Sequence, residues 1–373
     1  MLNKNILLHL SLIPGVGPEL LKYITKDYGF YLTDELYTFS QRDIMLFFSL
    51  SEKKAAMIFS GLGNNDLLEN ELRLLEQHKI EFITPYEENY PSLLRVNSFF
   101  PAVLYFQNKH TILDCNKHLS LSIVSSRKTN RYGEKVIFEM VGGLANLNDN
   151  NFFIVSGGAI GGDTYVHQAA LKYKIKTGAI LGSGLLCWYP KCNKKLFEAI
   201  IEEGGTILSH FSLNTPATPT TFPARNALIA GLSKATLVVQ AGEKSGTLIT
   251  ANYALEYGRN VGAIPGQIDD PLMVESNNLL KQGAACITTT SDLFYLLGIE
   301  SLPSPLKNKN NMRNFEDCSE LQCNIIALCA IPQSLDEIAA ATGISSFVVY
   351  EEIAFLLNNK YLKEDILGCF YAV

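Results

Sequence analysis

Three things are scarce in this sequence, and each scarcity narrows what the chain can be. No two of its eight cysteines (115, 187, 192, 286, 318, 323, 329 and 369) are spaced CxxC, and the six histidines are equally dispersed. Zinc modules draw on ligands paired at short spacing, so no metal site is expected. Scattered, unpaired cysteines suit a reducing cytoplasm. Long apolar runs are also missing, since none approaches the roughly 18 residues of a membrane span. The opening MLNKNILLHLSLIPGVG has an apolar middle but no small-residue cleavage site after it, and reads as a first helix rather than a signal peptide.

The third scarcity is positive charge. The chain carries a formal net charge of −6, which looks wrong for a nucleic-acid binder. The imbalance is not uniform, however. Residues 120–298 hold 15 Lys and Arg against 13 Asp and Glu, a net of +2, whereas residues 318–373 hold 2 against 7, a net of −5. The acidity therefore lies largely in the tail, and a basic groove in the middle stays open, because a binding footprint depends on patches and not totals.

What is present reads as three segments in 373 residues of ordinary globular composition, 47% hydrophobic and 18% charged. Residues 1–84 alternate apolar and polar at helical spacing: KNILLHLSL, PELLKYITKDY, QRDIMLFFSL, EKKAAMIFSGL and NDLLENELRLLEQHK. IPGVGP at 13–18 sets a glycine turn between the first two. The pattern fits a SAM-like or helix-hairpin-helix domain whose hairpin amides hold a phosphate, or equally a compact helix–helix turn. From 85 to 300 apolar runs alternate with helical stretches: LSLSIVSS, NFFIVSGG, TGAILGSG, GTILSHF, ATLVVQAG, NVGAIPGQ and ACITTT. Repeated βαβ order implies an α/β, Rossmann-like, doubly wound and mostly parallel sheet, with ligands beyond the carboxyl ends of its strands. SLPSPLKNKNNMRNFED, 301–317, reads as a linker. Residues 318–373 then show three helices and a short hairpin, a winged-helix-like pattern. Its third helix carries Glu351 and Glu352, which repel phosphates, so this module is expected to pack or to bind protein rather than DNA.

Within the sheet segment, SGGAIGGD (156–163) follows a strand and opens a helix. In that geometry backbone N–H groups and a helix dipole converge on an anion. The competing reading is a tight turn whose glycines merely let backbones approach. Other strand ends carry Ser125-Ser126-Arg127, Gly182-Ser183-Gly184 and 242–246. Arg127 with Lys128 and Arg131, Arg225 with Asn226, and Lys191, Lys194 and Lys195 around Asn193 supply cations for a groove that tracks a strand backbone. Trp188 and Tyr189 are candidates for base stacking or for packing. Arg225 is a phosphate fork or a structural arginine. His167, one turn after Asp163, is expected to orient by hydrogen bonding and not to act as a base.

The run TTFPARNALIAGLSKATLVVQAGEKSGTLITANYALEYGRNVGAIPG (220–266), together with YPSLLRVNSFFPAVLY, SSRKTNRYG and WYPKCNKKL, resembles the DNA-processing protein A (DprA/Smf) family. The resemblance covers most of the chain and is weakest over 1–80. It implies a non-catalytic Rossmann-like protein that binds single-stranded DNA, protects incoming strands in natural transformation and loads the RecA recombinase, acting as a homodimer. Residues and resemblance together mark Ser126, Arg127, Lys128, Gly157, Gly158, Gly161, Asn193, Lys194, Lys195, Arg225, Asn226, Ser245 and Thr247 as DNA-binding. No catalytic residue, cofactor or metal is expected, and no membrane partner.

Four positions depart from the family pattern. Ile160 and Ala227 stand where arginines are usual, and His210 and Gln240 where glutamates are usual. Two lost phosphate contacts would lower the salt slope by about 0.7 each on single strands. The alternative reading is a nucleotide hydrolase of the lysine-decarboxylase-like type, which uses PGGxGTxxE. Here Thr250 occupies the glutamate position, where acid–base chemistry needs a titrating group.

Overall fold

Lys4 to His78 fold as the apolar spacing predicts, into α1 (Lys4–Leu12), α2 (Pro18–Tyr28), α3 (Gln41–Phe47), α4 (Glu52–Leu62) and α5 (Asn65–His78). The computed structural model describes residues 4–95, 100–108, 118–145, 152–299, 319–329, 333–359, 361–364 and 369–372. In the turn after α1, Gly15 adopts φ +90°, and a Cβ there would lie 2.6 Å from Met57 Sδ. Val16 N–H donates to Ile13 O and Gly17 N–H to Gly15 O, so these hairpin amides are used inside the turn. Pro18 then starts α2, where its missing N–H costs nothing. A capping box between Ser40 and Asp43 starts α3.

Among the described residues the sheet has nine strands: β1 (Glu81–Ile83), β2 (Leu104–Gln107), β3 (Leu119–Val124), β4 (Phe152–Ser156), β5 (Lys176–Ile180), β6 (Thr206–Ser209), β7 (Ala235–Val238), β8 (Asn260–Ala263) and β9 (Ala285–Cys286). Their order is β1-β2-β6-β5-β4-β3-β7-β8-β9. Strands β3 to β9 pair in parallel, while β1 and β2 join antiparallel at one edge. The alternating apolar runs anticipate the parallel strands. They do not show β1 and β2, which are three and four residues long, too short for a periodic signal. The sheet thus begins at Glu81, inside the span that the sequence pattern assigns to the helical segment.

Helices follow in order: α6 (Ser92–Arg95), α7 (Arg131–Ala145), α8 (Gly162–Lys172), α9 (Lys194–Glu202), α10 (Thr221–Gly231), α11 (Gly246–Glu256), α12 (Val274–Lys281) and α13 (Thr290–Leu296). Alternation along each strand decides which helix it meets. Leu121, Ile123 and Ile154 pack with Val136, Ile137 and Val166 of α7 and α8. Val124, Phe153 and Val155 pack with Leu228 and Ala251 of α10 and α11. Both faces are covered, which is why the central strands are apolar throughout. Ala179 and Ile207 share a core with Phe197 of α9 and with Leu8 and Ile58 of the N-terminal helices. Those helices and the sheet make one compact unit, Met1–Ser304.

The second unit, Pro305–Val373, has its own core of Ile325, Ile338, Val349, Ile353, Leu356 and Phe370. It contains α14 (Glu320–Leu328), α15 (Leu335–Thr342) and α16 (Ser346–Asn358), then β10 (Leu362–Glu364) antiparallel to β11 (Phe370–Ala372). Capping boxes at Ser319 and Ser334 start the first two helices, and Gly343 at φ +69° ends the second. The linker expected over 301–317 lies outside the described residues. Among the described residues no single helix is long and apolar enough to cross a membrane.

Candidate nucleic-acid interface

The strand order reverses at β3: the chain passes from it to β4 on one side, and β7 arrives on the other. Loops leaving the carboxyl ends of β3 and β7 separate there, as the topology of open α/β sheets dictates. The crevice between them is a cleft of ≈ 630 Å³. It brings together Ser126, Arg127, Lys128, Arg225, Asn226, Ser245 and Thr247 of the expected set. Gly157, Gly158, Gly161, Asn193, Lys194 and Lys195 do not line it.

Arg127 and Lys128 are exposed at the mouth of the cleft, and neither makes an ion pair among the described residues. Their loop is held from below. Ser126 N–H donates to Gln240 O at 2.8 Å, and Lys128 N–H donates to Ser126 Oγ at 3.1 Å. Gln240, fully buried, accepts from Asn130 N–H at 3.2 Å and donates to Asn130 Oδ1 at 3.0 Å. A glutamate here could accept the first of these bonds but not donate the second. Opposite, Ser245 caps α11 by accepting from Thr247 N–H at 3.3 Å, and Asn226 ties that helix down through Gly246 O at 3.1 Å.

The glycine loop is a packing device before it is anything else. Gly161 has φ +81°, and a Cβ on it would run into the backbone of Arg127. A Cβ on Gly157 would strike the Arg225 guanidinium, and one on Gly158 would lie 2.7 Å from Phe197 Cε1. Small residues here let the β4 loop lie against the β3 loop, so Gly161 points at protein. Asn193 stitches the same loop to the start of α9, donating to Gly158 O and Thr164 Oγ1 at 2.9 Å each. Lys194 and Lys195 are exposed beyond it, Lys194 within 3.8 Å of Glu198.

Arg225 is 5% exposed, unlike Arg127. Its Nη1 lies 3.8 Å from Asp163 Oδ2 and donates to Ile180 O at 3.4 Å. Asp163 also accepts from Ala159 N–H at 3.2 Å. Burial pushes the Asp163 carboxyl up, opposed by Arg225 and by the Ala159 amide, and burial pulls the Arg225 guanidinium down. The pair therefore locks α10 to the glycine loop. Sequence reasoning left both readings of Arg225 open and did not pair it with Asp163, because 62 positions separate them. Behind them His167 is fully buried, with Nδ1 2.8 Å from Thr177 Oγ1. That hydroxyl donates its proton to Ile154 O at 2.9 Å, so it must accept from His167 Nδ1–H. Burial lowers the imidazole to about 3, and it stays neutral.

Two departures from the family pattern separate on exposure. Ile160 is 48% exposed at the loop tip, where an arginine would reach solvent. Ala227 is 2% exposed inside α10, where an arginine would enter the core.

Over residues 81–298 the chain matches the model of the family described as DNA recombination-mediator protein A. Protein Smf of Escherichia coli K12 is 35% identical over 245 residues, 65% of this chain and 63% of that one. The DNA processing protein DprA of Streptococcus pneumoniae R6 is 38% identical over 193 residues, 52% of this chain and 66% of that one. The chain thus spans a little under two thirds of the length of these two relatives. The X-ray structure of Streptococcus pneumoniae DprA superposes with TM-score 0.67 at 29% identity, covering 79% of this chain and 98% of that one. DNA processing protein A of Helicobacter pylori, described in its single-stranded DNA binding mode, superposes with TM-score 0.51 at 26% identity over 59% of this chain and 95% of that one. An α/β sheet with a cleft opening at the strand-order reversal, and a family match across that whole sheet, place this chain in the DNA recombination-mediator protein A (DprA/Smf) family.

Proposed function

We propose that this chain binds single-stranded DNA without catalysis, protects incoming strands in natural transformation and passes them to the RecA recombinase. The observation that carries the reading is the pair of exposed cations, Arg127 and Lys128, on a loop pinned at the strand-order reversal. Phosphates are the ligands such a rim attracts, and release of their counterions makes binding weaken with salt. Ser126, Asn226, Ser245 and Thr247 continue the groove, and Lys194 and Lys195 extend it past the glycine loop. The single-stranded DNA bound by the Helicobacter pylori relative supports the choice of ligand. A nucleotide hydrolase would need a titrating group where the buried Thr250 stands.

In this reading the protein works as a cytoplasmic homodimer. The helices before Glu81 support the DNA-binding sheet domain. The module over 318–373 is winged-helix-like and protein-binding, since its Glu351 is exposed and its Glu352 is engaged by Gln322 at 2.6 Å. The test is a salt-titrated binding curve for single- and double-stranded oligonucleotides, with mononucleotides as competitors. Preference for the single strand is expected; equal affinity at moderate salt, or no binding at low salt, overturns the proposal.

A further inference from the structure

Tyr189 stands 48% exposed beside the cleft, at the end of the loop that leaves β5. Its neighbour Trp188 turns the other way and is half-buried, its ring edge-on to Phe197 at 5.8 Å and 85°. The Trp-Tyr pair is therefore divided, with one ring anchoring the loop and one displayed. The displayed ring is not loose. Its centroid lies 5.9 Å from that of Phe222, tilted by 54°, and Phe222 sits in the first turn of α10.

Phe222 is in turn contacted by two cations. The Arg127 guanidinium lies 5.1 Å from its ring centroid and that of Arg225 lies 5.7 Å away. Both distances are within the roughly 6 Å range at which a cation is attracted to an aromatic face. Gly182 leaves room for this ring, since a Cβ there would sit 2.9 Å from Phe222 Cδ1. Loops after β3 and β5 and the start of α10 thus meet at Phe222, with an exposed aromatic and an exposed guanidinium both against its ring.

We infer that Tyr189, buttressed by Phe222, is a stacking platform for an unpaired base whose strand places a phosphate on Arg127. The inference rests on the single-stranded DNA reading and names what that reading lacks, a contact to bases. Every base has a π-face, so an aromatic contact is indifferent to sequence, and a duplex hides those faces inside its stack. Phosphate contacts alone do not distinguish the two forms, because both present phosphates. The platform supplies the preference for unpaired DNA. Trp188 makes no part of it, because its ring is committed to Phe197.

The test compares a thymidine oligonucleotide with an abasic strand of the same length, for the wild-type chain and for Tyr189→Ala, Tyr189→Phe and Arg127→Ala. Tyr189→Ala is expected to weaken thymidine-strand binding by roughly tenfold and to leave abasic-strand binding unchanged. Tyr189→Phe keeps the ring and retains wild-type affinity for both. Arg127→Ala weakens both strands alike, since both carry phosphates. A 2-aminopurine base in the strand reports stacking directly, by fluorescence quenching that Tyr189→Ala removes. If Tyr189→Ala weakens both strands equally, the ring only supports the loop and the platform is overturned. If the wild-type chain binds the thymidine strand but Tyr189→Ala changes nothing, the platform falls and the DNA reading stands. If the wild-type chain binds neither strand at low salt, both fall together.

Discussion

Arg127 and Arg225 both flank Phe222, yet their surroundings demand opposite results from the same substitution. Arg127 is exposed and makes no ion pair among the described residues; Arg225 is 5% exposed and lies 3.8 Å from a buried carboxylate. Arg127→Ala removes one phosphate contact, so affinity for single-stranded DNA should fall by about 1–3 kcal/mol, the range for charge-assisted bonds. The slope of log affinity against log salt should flatten by about 0.7, the value for one contact on a single strand. Folding stability should change by no more than about 1 kcal/mol, because only an exposed cation–π contact is lost. Arg225→Ala strands Asp163 without its partner in the interior, and breaking a buried pair costs about 3–5 kcal/mol of stability. Urea unfolding and fluorescence-anisotropy titrations over a salt series measure the two effects separately. These two roles are wrong if Arg127→Ala leaves the salt slope intact, or if Arg225→Ala is as stable as wild type and loses a full contact in slope. In the second case Arg225 would be a DNA ligand rather than a pillar under the glycine loop.

Ile160→Arg, at the exposed loop tip, should strengthen binding and steepen the salt slope by about 0.7; unchanged affinity and slope would show that position 160 faces away from the strand. Removal of residues 305–373, a separate compact unit with its own core, should leave single-strand affinity near that of the full chain. A large loss in the folded truncated protein would assign the C-terminal module a share of the DNA. His167 is neutral in the fold, with burial holding it at about 3, while the unfolded chain protonates it near 6.5. Its contribution is therefore complete above about pH 6.5 and declines by about 1.4 kcal/mol per pH unit as pH falls through the window down to about 3. Burial pushes Asp163 the other way, so the comparison is with His167→Asn at each pH, where Asp163 is common to both. Between pH 7 and 5 the wild-type protein should lose about 2 kcal/mol more than the variant in urea unfolding; parallel pH profiles would refute the buried neutral imidazole.

The central strands and most of the helices are legible in the sequence, because the information that specifies them is local. Apolar runs such as Phe152–Ser156 and Ala235–Val238 are buried on both faces and need no partner to be recognised as central strands. Helix starts at Ser40 and Ser334 are likewise written in four residues each. Arg127 and Lys128 could be placed at a strand end for the same reason. The edge strands β1 and β2 could not be read, since they exist only by pairing with each other and with β6. Which of two arginines meets solvent was also beyond local reading. That depends on Asp163, Phe222 and the loop after β5, which come together only when β3, β4 and β5 lie side by side. The glycines of 157–161 show the same division. Their number marks a place of close approach, but what approaches is the Arg127 backbone, the Arg225 guanidinium and Phe197. Side-chain exposure and ion pairing are properties of the packed chain, because burial by distant segments sets the cost of every charge.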